Sequence, residues 1–221
     1  CRALCTPVTG GNFSFYNENP KGAVFPTPTI GMLGVLDHVD QATTAWFKNA
    51  GDAIVVLGED LEEIGGSEYL SAIHGKTAGD CPALDLQREM AVQQACLAAI
   101  QAGIVQSAHD VADGGLAVAL AECCIMNREQ VIGAQVELAG YQRADFALFG
   151  ESQSRIILSL DKRNLQQLIE MCEQNDVAIK MLGTVGGERL RIGELIDVGV
   201  AELLDPYFES IRRKMMMAVQ Q

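Results

Sequence analysis

The chain has 221 residues, 48% of them hydrophobic and 20% charged, enough for one large domain or for one domain and a piece of another. Its formal net charge of −13 argues against nucleic acid as a partner, because phosphate backbones are held by Lys and Arg. No apolar run approaches the roughly 20 residues of a membrane span, and no signal peptide is visible, so neither a membrane nor a secretory route is expected.

From the N-terminus, "NFSFYNE" (12–18) alternates as a strand does. "PTPTIGMLGVL" (26–36) enters extended through its two prolines and continues as a strand-like apolar run. "HVDQATTAWFKNAGD" (38–52) predicts a short amphipathic helix closed by Gly51. "DAIVVLGE" (52–59) is a compact buried strand, and "GGSEYLSAIHG" (65–75) a short helix. A long helix follows over "LDLQREMAVQQACLAAIQAG", with Asp85 as N-cap and Gly103 just past its end. "IVQSAHDV" is a strand, "GGLAVALAECCIM" an apolar helix, "GAQVEL" a strand and "QSRIILSL" another. Asp161 opens the helix "KRNLQQLIEMCEQND"; "VAIKMLGTV" and "RLRI" are the last strands. A C-terminal helix holds "LLDPYFESIRRKMMMAV", with Pro206 expected at its start because a helix interior disfavours proline. Its Met215–Met217 run is expected to fill core, and its Arg-Arg-Lys run to form a solvated basic face.

This order gives an α/β chain with helices packed on a mixed sheet. Residues 1–48 are expected to be the tail of a preceding domain, and residues 50–221 a complete one. The chain starts at Cys1 in mid-pattern, which suggests a piece of a longer protein. Its seven cysteines are odd in number, without zinc-like CxxC spacing and largely in apolar surroundings. They fit reduced thiols in the cytosol, and the acidity fits solubility there.

Three stretches carry candidate chemistry. In "TGGNFSFYNE" (9–18) the glycine pair lets another molecule approach the backbone, and Asn12 and Ser14 offer small oxygen ligands on one side of an extended chain. In "SAHDVADGGLAVALAE" (107–122) Asp110 and Asp113 end a strand, and Gly114-Gly115 open a helix whose free N–H groups suit phosphate while the carboxylates suit Mg²⁺. The plainer alternative makes Asp113 an N-cap and the glycines a tight turn. His109 alone fits a hydrogen-bonded structural residue. In "LFGESQSR" (148–155) Glu151, Ser152 and Gln153 cluster at the mouth of a buried strand, where α/β sheets hold ligands, or else form a capped loop. "GGSEYL" could receive an anion but reads more simply as a helix start.

Taken in order, "TGGNFSFYNE", "PTPTIGMLGVL", "GGSEYL", "LDL", "SAHDVADGGLAVALAE" and "LFGESQSR" resemble the large, synthetase subunits of phosphoribosylformylglycinamidine synthases, over residues 8 to about 190. The wider superfamily includes aminoimidazole ribonucleotide synthase, selenophosphate synthetase and thiamine-monophosphate kinase; "GGNFSFYNE" points to the synthase. The chain departs from the family pattern at Gly10 and Phe13 and keeps the polar positions. The resemblance implies a C-terminal domain like that of aminoimidazole ribonucleotide synthase, preceded by the tail of the second of two ATP-binding-type domains. The missing N-terminal half would carry the catalytic base, so no catalytic residue is expected in these residues. By the same resemblance Gly11 contacts ATP, Asn12 binds Mg²⁺ and Ser14 contacts substrate. Asp110, Glu151, Ser152 and Gln153 would be pseudo-symmetric copies lining a second site.

The implied reaction converts formylglycinamide ribonucleotide, ATP and glutamine to formylglycinamidine ribonucleotide, ADP, phosphate and glutamate in the cytoplasm. A glutaminase subunit or domain would supply ammonia; nothing in this chain resembles one. Two other readings remain: a structural or interaction module without activity of its own, or another superfamily member, such as a small-molecule kinase or aminoimidazole ribonucleotide synthase.

Overall fold

The computed structural model describes residues 1–12, 14, 16–25 and 27–219, the last two by their backbone. The chain divides into two compact units, residues 1–42 and residues 43–221.

In the first unit, β1 (Glu18–Asn19) pairs antiparallel with β2 (Gly22–Ala23). Asn19 closes the turn, its Oδ1 accepting the Lys21 N–H at 2.8 Å. A 3₁₀ turn spans Val39–Gln41. The strand expected over 12–18 is found only as its last residue, Glu18; Phe13 and Phe15 lie outside the described residues. No strand forms over 27–36, and Pro26 lies outside the described residues. The physical reason is that a strand needs a neighbour for its N–H and C=O groups, and no described residue is paired with this run. Ile30, Met32, Leu33 and Val35 are all exposed.

The second unit is built on a seven-stranded sheet: β3 (Ala53–Leu57), β4 (Val105–Asp110), β5 (Ala134–Val136), β6 (Ile156–Leu160), β7 (Ile179–Val185), β8 (Arg189–Ile192) and β9 (Ile196–Gly199). The strand order is β4-β6-β3-β7-β5-β8-β9, parallel only between β5 and β8. The sheet is therefore mixed, as expected. Among the described residues six helices complete the unit: α1 (Glu68–His74), α2 (Leu86–Gln101), α3 (Gly115–Ile125), α4 (Ala144–Phe149), α5 (Leu165–Gln174) and α6 (Val200–Val219).

The continuous apolar run of β3 follows from burial on both faces. Ala53, Val55 and Leu57 pack with Leu158 and Leu160 of β6 under α2 and α5. Ile54 and Val56 point the other way, into a core shared with α3, Leu148 of α4, β8 and Val200 of α6. Helices thus cover both faces of the sheet.

Caps fall where the residue types require them. Asp85 accepts the N–H groups of Gln87 and Arg88 at 2.8 and 3.2 Å, and Ser67 accepts that of Leu70 at 3.3 Å. Asp161 caps a 3₁₀ turn (Lys162–Asn164) that leads into α5.

Three further expectations are corrected. The helix over 38–52 is absent beyond the short 3₁₀ turn: Phe47 is fully buried and its N–H donates to the Cys123 carbonyl at 2.8 Å, so core burial and that bond hold the segment non-helical. Pro206 lies inside α6 rather than at its start. The helix begins a turn and a half earlier because the Glu202 carboxylate accepts the Gly199 N–H at 3.1 Å, half of a capping box. Met215, Met216 and Met217 are exposed rather than core filler, since the last turns of α6 run past the elements that bury its start. In addition, α4 and β9 form in stretches for which the sequence suggested no helix or strand.

Candidate ligand-lining site

The C-terminal ends of β3 and β4 and the N-terminal ends of β6 and β7 meet at one end of the sheet. Asp110 is paired with Ile156, and Leu57 with both Ile156 and Ile179. The loops that leave these ends carry the two C-terminal motifs.

These loops are locked together by backbone approach. Gly115 has φ +68°, and a Cβ there would meet the Gly150 carbonyl oxygen at 2.6 Å and the Phe149 carbonyl carbon at 2.7 Å. Only glycine fits on both counts. Gly58 is held in the same way: its φ is +87°, and a Cβ would sit on the Ser154 carbonyl oxygen. The Val111 N–H donates to the Arg155 carbonyl at 2.9 Å and closes the arrangement.

Glu151 sits at the centre. Its Oε1 accepts the Gly114 N–H at 2.8 Å and the Glu68 N–H at 2.9 Å. One carboxylate oxygen therefore serves the N-terminal ends of α3 and α1, where free N–H groups and positive dipole ends favour an anion. The N-cap of α3 is Gly114, with no side-chain cap; Asp113 does not fill that role and is exposed. Ser152 is fully buried, and its Oγ accepts the Leu61 N–H at 3.1 Å. Gln153 is exposed, its Nε2 donating to the Glu151 carbonyl at 3.3 Å. Asp110 is exposed at the end of β4.

Arg155 supports the loop from beneath and was not singled out in the sequence. It is 3% exposed, donating from Nε to the Ser152 carbonyl at 3.1 Å and from Nη2 to the Gly150 carbonyl at 2.6 Å, with Asp60 at 3.5 Å from Nη1. Burial pulls its pKa down, while Asp60, Glu63 and Glu151 hold the charge on. The one available signal was a lone cation heading an otherwise apolar strand. Beside it opens a cavity of about 370 Å³, with Leu116 and Leu182 in its wall and Asp60, Tyr141 and Arg155 among its polar groups.

His109 is the structural residue anticipated for it, with one addition. Its Nδ1 lies 2.6 Å from the Asp110 carbonyl and its Nε2 lies 3.2 Å from Glu122 Oε2, so both nitrogens face acceptors. Burial opposes the charged ring, but Glu122 and the Asp110 carbonyl outweigh it and raise the pKa above the ordinary histidine value.

Asp110 and Glu151–Gln153 thus share one end of one sheet. Gly11, Asn12 and Ser14 belong to the other unit, where all three are exposed. Among the described residues no group of three or more His, Cys, Asp or Glu is arranged to hold a metal ion, and no helix is long and apolar enough to cross a membrane.

Residues 49–193 match the family model for the C-terminal domain of AIR synthase related proteins, and the chain belongs to that family. Within it, the chain is similar to the phosphoribosylformylglycinamidine synthase subunit PurL of several bacteria. It is 46% identical to that of Anaeromyxobacter sp. (strain Fw109-5) over 218 residues, which are 96% of this chain and 28% of the relative. To that of Salinibacter ruber it is 49% identical over 216 residues, 93% of this chain and 28% of the relative. The chain therefore spans under a third of the length of these curated relatives. Among solved structures it shares its fold with Thermotoga maritima PurL complexed with FGAR, at a TM-score of 0.61 and 21% identity over 75% of this chain and 30% of that one. The same protein complexed with ATP gives a TM-score of 0.58 at 18% identity, over 75% of this chain and 27% of that one.

Proposed function

We propose that these residues are the C-terminal part of the synthetase subunit of a phosphoribosylformylglycinamidine synthase, a cytoplasmic ATP-dependent carbon–nitrogen ligase of purine biosynthesis. The observation that carries this reading is 46% identity to a PurL subunit across 96% of the chain. In this reading residues 1–48 are the tail of the second ATP-binding-type domain, and residues 50–221 form the C-terminal α/β domain.

The substrate amide of formylglycinamide ribonucleotide has a poor leaving group in its oxygen. Transfer of the ATP γ-phosphoryl group to that oxygen gives an iminophosphate and ADP. Ammonia, released from glutamine by a glutaminase partner, adds to the carbon, and phosphate leaves to give the amidine. Gly11 would let nucleotide phosphate approach the backbone, and Ser14 would orient the substrate. The Asn12 amide oxygen is a hard donor of the kind Mg²⁺ takes. When bound, Mg²⁺ would offset the charge gathering on the phosphates. Because the described residues contain no metal cluster of their own, phosphate oxygens, water and residues beyond these 221 would complete the shell.

In the second unit, Asp110 and Gln153 would be the side chains open to a ligand at the pseudo-symmetric site. Glu151 and Ser152 have their acceptor oxygens on backbone N–H groups and would shape that site from within.

The test is an assay of the longer protein that contains these residues, with formylglycinamide ribonucleotide, ATP, Mg²⁺ and ammonia. Amidine formed with ADP in equal amounts is the expected result; a folded protein that makes neither contradicts the proposal. The 221-residue chain alone should form no amidine above background.

A further inference from the structure

The cavity beside Arg155, at about 370 Å³, falls within the ~300–1,000 Å³ of small-molecule sites. It lies on the α3 side of the sheet, where Val56 of β3, Leu182 of β7 and Leu116 of α3 give it apolar walls. Asp110, Glu151, Ser152 and Gln153 are not in its wall, so the sequence motifs leave it without a role.

Three of the charged side chains in that wall are engaged. Glu59 pairs with Arg88 at 3.1 Å, Glu62 Oε1 accepts the Gln142 N–H at 3.2 Å, and Lys180 Nζ donates to the Ala139 carbonyl at 2.7 Å. Two remain open. Arg155 uses Nε and Nη2 on the Ser152 and Gly150 carbonyls, which fixes the plane of its guanidinium. Its Nη1 donates to none of the described residues and stands 3.5 Å from Asp60 Oδ2, too far for a good charge-assisted hydrogen bond. The other Asp60 oxygen accepts the Glu62 N–H at 3.0 Å. A fixed N–H donor and a carboxylate acceptor therefore stand side by side at an apolar pocket.

This pair selects by charge as well as by shape. An anion drawn to Arg155 would meet Asp60, and a cation drawn to Asp60 would meet Arg155; in a pocket walled by apolar side chains both encounters are costly. A neutral group that accepts from one and donates to the other meets neither penalty. The cis-amide edge of a lactam has that form, a carbonyl oxygen next to an N–H, and a planar ring behind it suits the apolar walls. We infer that the cavity is a binding site for a neutral, planar lactam, its carbonyl oxygen accepting from Arg155 Nη1 and its N–H donating to Asp60 Oδ2. The donor is preorganised, because two backbone carbonyls hold the guanidinium before the ligand arrives.

Hypoxanthine carries this edge and is the probe. Equilibrium dialysis of labelled hypoxanthine against the longer protein that contains these residues should show a saturable site, with a Kd of about 0.1–1 mM for so small a ligand. 1-Methylhypoxanthine, whose methyl group replaces the donated hydrogen, should bind at least about tenfold more weakly, because it leaves Asp60 without its donor. Asp60→Ala should weaken hypoxanthine by a similar factor. Ala139→Trp should do the same by filling the cavity from an exposed position in its wall, where the larger side chain does not disturb the core. Both variants are checked by melting temperature, and the comparison of the two probes needs no variant. No saturable binding to the folded protein at ten times the expected Kd overturns the inference. So does equal binding of the 1-methyl derivative, and so does binding that Ala139→Trp leaves unchanged, which would place the probe elsewhere. Preference for benzoate, an anion of similar size, would also overturn it, by making Arg155 alone the recognition element.

Discussion

The two units differ in what holds them. In residues 1–42 only Ala3 and Thr6, among the described residues, are partly buried and the rest are exposed, and the regular structure is a two-residue ladder and a 3₁₀ turn. In residues 43–221 two apolar cores press on a seven-stranded sheet from opposite sides. Yet the stretch with the most specific motif, "TGGNFSFYNE", lies in the first unit. The contrast teaches that a chemically specific sequence and a self-supporting one need not coincide. Small polar residues beside glycines can serve a ligand only if something else holds the backbone, whereas the second unit turns two of its polar motif residues, Glu151 and Ser152, onto its own backbone N–H groups.

Stability measurements can break or sharpen this contrast. The largest loss is expected at the buried cation. Arg155→Met removes the donor to two carbonyls and the partner of Asp60, and should cost about 4 kcal/mol in urea unfolding. Next comes Leu158→Ala, a fully buried side chain between strands and helices, at about 3 kcal/mol. Its counterpart Leu33→Ala, 95% exposed in the first unit, should stay within about 0.5 kcal/mol. A cost for Leu33→Ala equal to that for Leu158→Ala would erase the distinction.

Glu151→Gln keeps the shape but removes the charge that two helix ends share. It should cost about 1–2 kcal/mol, and unchanged stability would mean that the N–H contacts of Gly114 and Glu68 hold nothing. The smallest effect concerns His109. Its folded pKa is raised, so its pairing with Glu122 contributes stability that is fully present below the unfolded pKa of about 6.5. That contribution is lost as pH rises through the folded pKa. Unfolding of the wild type and of Glu122→Gln as a function of pH should therefore diverge at low pH and converge at high pH; the opposite trend would mean that the ring is neutral.

How much of this was legible in sequence follows the same divide. The strands β3, β4, β6, β7 and β8 and the helices α1, α2, α3 and α5 were readable because period and local caps agreed, as with Asp85 and Ser67. The family was readable from motif order. The segment around Phe47 was not, because its helical spacing is overridden by a bond to Cys123, a residue distant in sequence. Pro206 misled because its penalty competes with a capping contact from Glu202 that propensity does not register. At the candidate site, Glu151 and Gln153 are chemically similar as letters. Only the fold separates a carboxylate turned onto two backbone N–H groups from an exposed amide. Arg155 was hidden for the same reason, its partners being carbonyls that carry no sequence signature.

The proposal that the exposed first unit serves phosphoryl transfer, while the second unit's polar residues do not, is tested most directly by turnover of the longer protein in two variants. At saturating ATP and Mg²⁺, Asn12→Ala should lower turnover by about a hundredfold, because a lost metal ligand misplaces the transferring phosphoryl group. Asp110→Ala should leave turnover within a few-fold of wild type and act instead on nucleotide retention or melting temperature. Near-normal turnover in Asn12→Ala together with abolished turnover in a folded Asp110→Ala protein would contradict the account and exchange the two sites.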